Sequence, residues 1–122
     1  MTGSLTADGE PVLPVHISGP AGTLTVDAII DTGFNGELTL PQTQIEALGL
    51  SEATVTEVTL ADGRTRDVPL YDATAKFDES SRAIFVTEAP TSPLLGTSLL
   101  WGFSLCIDFE ADGTVEVTRL SS

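Results

Sequence analysis

Apolar residues in this chain recur mainly at alternate positions, in short runs bounded by Gly, Pro, Asp or Ser. That is the period of half-buried strands, not of helices. Residues 12–17 and 23–30 read as two strands joined by the turn Ser18-Gly19-Pro20-Ala21-Gly22, and Leu38-Thr39-Leu40-Pro41 as a short third. Residues 42–48 break the alternation: Ile45 and Leu48 are spaced for one helical face, and Gly49 stands where a helix C-terminus favours a left-handed residue. Further on, 55–60 and 65–70 alternate around Ala61-Asp62-Gly63-Arg64, where Asp-Gly predicts a hairpin whose two central residues take positive φ. Residues 71–77 and 83–87 make a second expected pair across 78–82, and 105–109 and 115–120 a third around Asp112-Gly113. Leu94-Leu95-Gly96 leads into residues 97–100, one helical turn at most. Residues 1–10, polar and turn-rich, read as a flexible N-terminal tail ahead of one domain at 11–122. Many short strands with one or two short helices predict an all-β fold, a small barrel or sandwich.

Composition narrows the function classes. A chain of 122 residues has room for one modest core. Eighteen acidic residues against five basic ones give a net charge of -13, which repels nucleic acid and anionic membrane because phosphate binding needs clustered Lys and Arg. The first residues lack a basic flank and an apolar stretch, so no signal peptide is expected, and no apolar run approaches membrane-spanning length. The single cysteine, Cys106, has no internal disulfide partner, which suits a reducing cytoplasm. Lying between Leu105 and Ile107, it is expected to be a buried strand residue. Trp101 and Phe103 read as core or interface residues.

No cofactor or metal is expected. One Cys and one His are too few for zinc. The acidic run from Asp108 to Gly113 superficially matches a calcium loop, but the required bidentate acid would fall at Arg119, so a hairpin is the better reading. His16 alternates away from the apolar face, and no Ser or Cys nucleophile sits in a recognisable elbow.

The candidate chemistry lies at Asp31-Thr32-Gly33, directly after the apolar run Val26-Asp27-Ala28-Ile29-Ile30. A carboxylate on a Gly turn at the end of a buried strand is rigidly held yet open to water; the same tripeptide also suits an ordinary Asx-type turn. Ile29-Ile30-Asp31-Thr32-Gly33-Phe34-Asn35-Gly36 followed by Leu38-Thr39-Leu40-Pro41 resembles the active-site turn of retropepsin-like aspartic proteases. About sixty residues later, Leu94-Leu95-Gly96-Thr97-Ser98-Leu99-Leu100 resembles the second signature of that family, with an Asp-Gly hairpin between the two where the family places its flap.

The resemblance implies a small closed β-barrel, active as a symmetric homodimer on polypeptide substrates. A chain with one such Asp supplies half of a dyad, so a two-fold partner brings the other. Two Asp31 carboxyls a few ångströms apart would share a proton, one activating a water and the other donating to the scissile carbonyl. Thr32 would cross-brace the two turns and Gly33 would let backbone amides approach the carboxylates. Phe34 and Asn35 would contact substrate, and Ala61, Asp62 and Gly63 would form the flap tip. Two positions depart from the viral pattern: Asn35 replaces an acid and Thr97 an Arg, which together form an ion pair at the subunit interface of the viral enzymes. Their joint replacement leaves no buried unpaired charge. Asp62 would place a negative charge beside the cleft. The alternatives are a non-catalytic binding or oligomerisation module of the same fold, and an unrelated β-barrel ligand binder.

Overall fold

Alternation becomes ten strands and two short helices in the computed structural model, which describes residues 1–121. In chain order these are β1 (Thr2–Leu5), β2 (Pro11–Gly19), β3 (Gly22–Ile30), β4 (Leu38–Leu40), α1 (Gln42–Leu48), β5 (Glu52–Thr59) and β6 (Thr65–Phe77), then β7 (Ser80–Glu88), β8 (Leu94–Leu95), α2 (Thr97–Leu100), β9 (Phe103–Ile107) and β10 (Thr114–Arg119). Strands β6, β7, β4, β8, β3 and β2 are successive neighbours, and β2 returns to β6 through His16↔Lys76, Ile17↔Ala75 and Ser18↔Thr74. The result is a closed barrel of six strands, which leaves no free edge within the ring.

Period two carries the core. Leu13, Val15 and Ile17 of β2, Val26, Ala28 and Ile30 of β3, Ala73, Ala75 and Phe77 of β6, and Ile84 and Val86 of β7 all point inward and are buried. Each large aliphatic or aromatic side chain so buried stabilises by roughly 1.5–3 kcal/mol. Helix α1 adds Ile45 and Leu48, and Gly49 ends it at φ 66 with its N–H bonded to Glu46 O, as the glycine signal predicts.

The barrel departs from the sequence reading in four places. Residues 1–10, expected as a tail, contain β1, which pairs with β10 through Gly3↔Val115 and with β2 through Leu5↔Pro11. A strand made of Thr, Gly, Ser and Leu has little local β signal; its partners, more than a hundred residues away in one case, create it. Residues 65–70 and 71–77, expected as two strands, are the single strand β6, which runs straight through Pro69. Its outer half pairs only with β5, as in Val55↔Pro69, so the two make an arm projecting from the barrel. The arm's turn is a three-residue loop with only Gly63 at positive φ (86), in place of the expected pair of positive-φ residues. By contrast, the β6–β7 turn is just Asp78-Glu79, both left-handed at φ 53 and 64, where a longer connection over 78–82 was expected because no glycine marks it.

Cys106, expected to be buried, is exposed. Phe103, Leu105 and Ile107 take the inner face of β9, and parity puts Cys106 and Ser104 outside. Phe103 packs edge-on against Phe77 at 5.0 Å, whereas Trp101 stands 84% exposed and is no part of the core. No helix among the described residues is long and apolar enough to cross a membrane.

Candidate active-site turn

Short strand β8 lies between β3 and β4, parallel to the first (Ile29↔Leu94, Ile30↔Leu95) and antiparallel to the second (Leu38↔Leu95). Because β3 and β4 are consecutive in the chain, residues 31–37 must cross the C-terminal end of β8. Asp31 opens that crossing. Its N–H donates to Leu95 O at 3.0 Å, and Phe34 N donates back to Asp31 O at 3.1 Å. Gly33 N donates to Asp31 Oδ1 at 2.9 Å, so the carboxylate is oriented by its own turn while remaining only half-buried.

Gly96 and α2 latch the crossing from beneath. Gly96 N donates to Glu37 O at 2.9 Å, Thr97 N to Phe34 O at 2.9 Å and Ser98 N to Gly36 O at 3.2 Å. The Ser98 hydroxyl donates to Asn35 O at 2.5 Å and the Thr97 hydroxyl to Phe34 O at 3.4 Å. A Cβ at Gly96 would fall 2.1 Å from Gly36 O, so only glycine permits this approach. At Asn35 and Thr97, where the viral pattern has an ion pair, neutral hydroxyl-to-carbonyl bonds therefore hold turn and helix together. Behind the crossing, Thr39 is the one buried polar residue among those described, and its hydroxyl accepts from Leu94 N at 2.8 Å.

Residues 31–35 thus share a single turn. Thr32 and Gly33 are exposed at its surface. Phe34 folds its ring over Gly36 and Gly96. Asn35 lines a shallow depression with Arg82, Thr97, Ser98 and Trp101, and Arg82 is held there by donating to Leu99 O at 3.1 Å. Glu37 accepts from Phe85 N at 2.9 Å and ties the turn to β7. Glu37, Arg82 and Ser98 have no signal of their own in the sequence.

Ala61, Asp62 and Gly63 are exposed at the end of the β5–β6 arm, apart from the turn in sequence and held by bonds internal to the tip. Asp62 accepts from Arg64 N at 3.0 Å and pairs with Arg64 Nε at 2.6 Å. The backbone N–H of Arg64, and after it the guanidinium, hold the Asp62 carboxyl below the usual carboxylate range. The expected negative charge at the tip is thus locally compensated. Under the arm lies a groove of about 730 Å³, walled by Val58, Leu60 and Val68 on one side and Pro41, Ala89 and Pro90 on the other, with Arg66 and Glu88 also lining it.

No family model matches the chain, and no curated protein matches it. Among solved structures it is similar to the EIAV protease complexed with the inhibitor HBY-793, at 17% identity and a TM-score of 0.56, over 78% of this chain and 88% of that one. At that identity the likeness bears on the fold. The chain has a retropepsin-like fold, a mainly β closed barrel with short helices.

Proposed function

We propose that this chain is an aspartic endopeptidase that works as a homodimer, each copy contributing one Asp31 to a shared site. The observation that carries the reading is the crossing itself: a half-buried carboxylate, oriented by Gly33 N–H, on a turn that β8, Gly96 and α2 make rigid. Electrostatic and general acid–base catalysis both need a group held in place before the substrate arrives. Two such carboxylates across a two-fold axis share one proton, since both cannot ionise at close range. The ionised member removes a proton from a water as that water attacks the scissile carbonyl carbon, and the protonated member donates to the carbonyl oxygen. In this reading Thr32, exposed beside Asp31, braces the partner's turn.

Substrate is an extended polypeptide segment, laid strand-like between arm and barrel. The groove under the arm, mostly apolar with one charge of each sign, is taken as one stretch of that path; none of residues 31–35 lines it. Asn35 and Phe34 border the scissile position, and Ala61, Asp62 and Gly63 close over it to exclude water. Chemistry needs neither metal nor cofactor in this scheme.

The test is cleavage of an unfolded protein such as casein by wild type and Asp31→Asn, scanned from acid to neutral pH. Asparagine keeps the Oδ1 acceptor for Gly33 N, so the thermal midpoint should stay the same while the rate falls by roughly 10³-fold or more. Equal cleavage by both proteins refutes the role of Asp31. Absence of cleavage by a dimeric wild type, with the turn intact, favours the non-catalytic binding module.

A further inference from the structure

Sulfur is scarce in this chain: one methionine, Met1, and one cysteine, Cys106. The two are placed in opposite ways. Cys106 stands on the outer face of β9, whereas Met1 is half-buried and packs against the core. The Met1 backbone continues the β1–β10 ladder beyond Thr2↔Glu116, donating to Val117 O at 2.8 Å and accepting from Val117 N at 2.8 Å. From that fixed backbone the side chain reaches the β6–β7 turn, where its Sδ accepts a hydrogen bond from Asp78 N at 3.2 Å.

The Asp78 N–H lies outside the β6–β7 ladder, whose last pair is Phe77↔Ser80, and it belongs to a turn of two left-handed residues, neither of them glycine. The Asp78 carboxylate in turn accepts from Arg119 Nε at 3.0 Å, and the Arg119 guanidinium lies 5.0 Å from the centre of the Phe103 ring. Met1 is thus one end of a run of contacts that fastens β1, the β6–β7 turn, β10 and β9 together. The residue is also open to solutes. A depression of about 470 Å³ is lined by Met1, Pro14, His16, Lys76, Asp78 and Glu79. A thioether that accepts a hydrogen bond through a sulfur lone pair offers that lone pair to an electrophilic oxygen as well.

We propose that Met1 is a reversible oxidation site, at which a peroxide converts the thioether to the sulfoxide and unfastens the β6–β7 turn. With hydrogen peroxide the oxygen–oxygen bond breaks and a sulfur–oxygen bond forms. Sulfur gives up two electrons, the proton on the transferred oxygen passes to the departing hydroxide, and water leaves. A dithiol returns the two electrons through methionine sulfoxide reductase, ending as a disulfide and releasing water. The unfastening is geometric. An N–H···O bond alone takes about 2.9 Å, so no oxygen fits in the 3.2 Å between Asp78 N and Sδ. Either the turn withdraws, or the sulfur swings its oxygen away and, now electron-poor, ceases to accept. The sulfoxide is also polar, which weakens the packing of Met1 on the core. None of these residues belongs to the Asp31 turn, and the site does not rest on the protease reading.

Cys106→Ser leaves Met1 as the single sulfur of the chain, and that variant is the protein to oxidise. After hydrogen peroxide, peptide mass mapping should place one added oxygen on Met1. The oxidised protein should melt at least about 3 °C lower, and the Asp78 amide should exchange its hydrogen at least about tenfold faster by NMR. Methionine sulfoxide reductase with dithiothreitol should restore both. Met1 left unoxidised, or oxygen found on the exposed Trp101 instead, overturns the site. An oxidised Met1 with midpoint and Asp78 exchange unchanged overturns the fastening, and a loss that persists after the reductase has removed the oxygen overturns its reversibility. Should Cys106→Ser fail to fold, wild type with its exposed thiol capped by iodoacetamide gives the same readouts.

Discussion

Gly96→Ala is the sharpest probe of how the Asp31 turn is held. The added methyl would sit 2.1 Å from Gly36 O and 2.7 Å from both Phe34 Cδ2 and Phe34 O. Two of these three obstacles are backbone atoms, so no side-chain rotation relieves them and the turn must lift off α2. Overpacking against an unyielding wall costs about 3 kcal/mol. Weakening the Gly96 N–H bond to Glu37 O, or the Thr97 N–H bond to Phe34 O, adds about 1 kcal/mol. For a chain of this size a total of about 4 kcal/mol lowers the thermal midpoint by roughly 15 °C. Circular dichroism on heating, repeated in urea, measures it. Gly33→Ala is the paired control: its methyl would meet only Asp31 Oδ1, at 3.2 Å, and Gly33 does not adopt a left-handed φ. That variant should lose under about 1 kcal/mol, yet displace the carboxylate and depress cleavage if Asp31 is catalytic. A Gly96→Ala protein melting within about 4 °C of wild type would show that the turn does not depend on this contact.

Two further substitutions test other parts of the frame. Thr39→Val keeps the volume but leaves Leu94 N without its 2.8 Å acceptor, and should cost about 1–3 kcal/mol in urea unfolding, while Thr39→Ser, which keeps the hydroxyl, should lose less. Glu79→Gly should stabilise by about 0.5–1 kcal/mol, read as a higher melting midpoint. Relief of a left-handed residue (about 1–2 kcal/mol) outweighs the freedom glycine adds to the unfolded chain (about 0.4–1 kcal/mol).

The parts of the site legible in the sequence were those whose causes are local. Asp31-Thr32-Gly33 follows a strand that alternation reveals, whereas Leu94-Leu95-Gly96 reads by itself as ordinary core and is marked only by its position relative to Asp31. Helix α1 was legible for the same reason, with Gly49 marking its end. The latch was not: Ser98 bonds Asn35, and Thr97 bonds Phe34, across more than sixty residues of chain. The arm was legible as a hairpin at Ala61-Asp62-Gly63, but its turn type was not, because Asp-Gly serves both a two-residue turn and the three-residue loop seen here.

What the sequence determined by itself was the strand period, hence the inward rows of β2, β3, β6 and β7, and the place of Asp31-Thr32-Gly33 on a turn directly after a buried strand, since both depend on residues adjacent in the chain. Only the tertiary structure decided that β2 closes on β6, that a polar segment ahead of Pro11 becomes β1, and that the parity of β9 turns Cys106 outward. Those outcomes depend on backbone partners brought together from distant parts of the chain, and a hydrogen-bonded ladder accepts many side chains, so the residues alone leave no mark of which partner will be chosen.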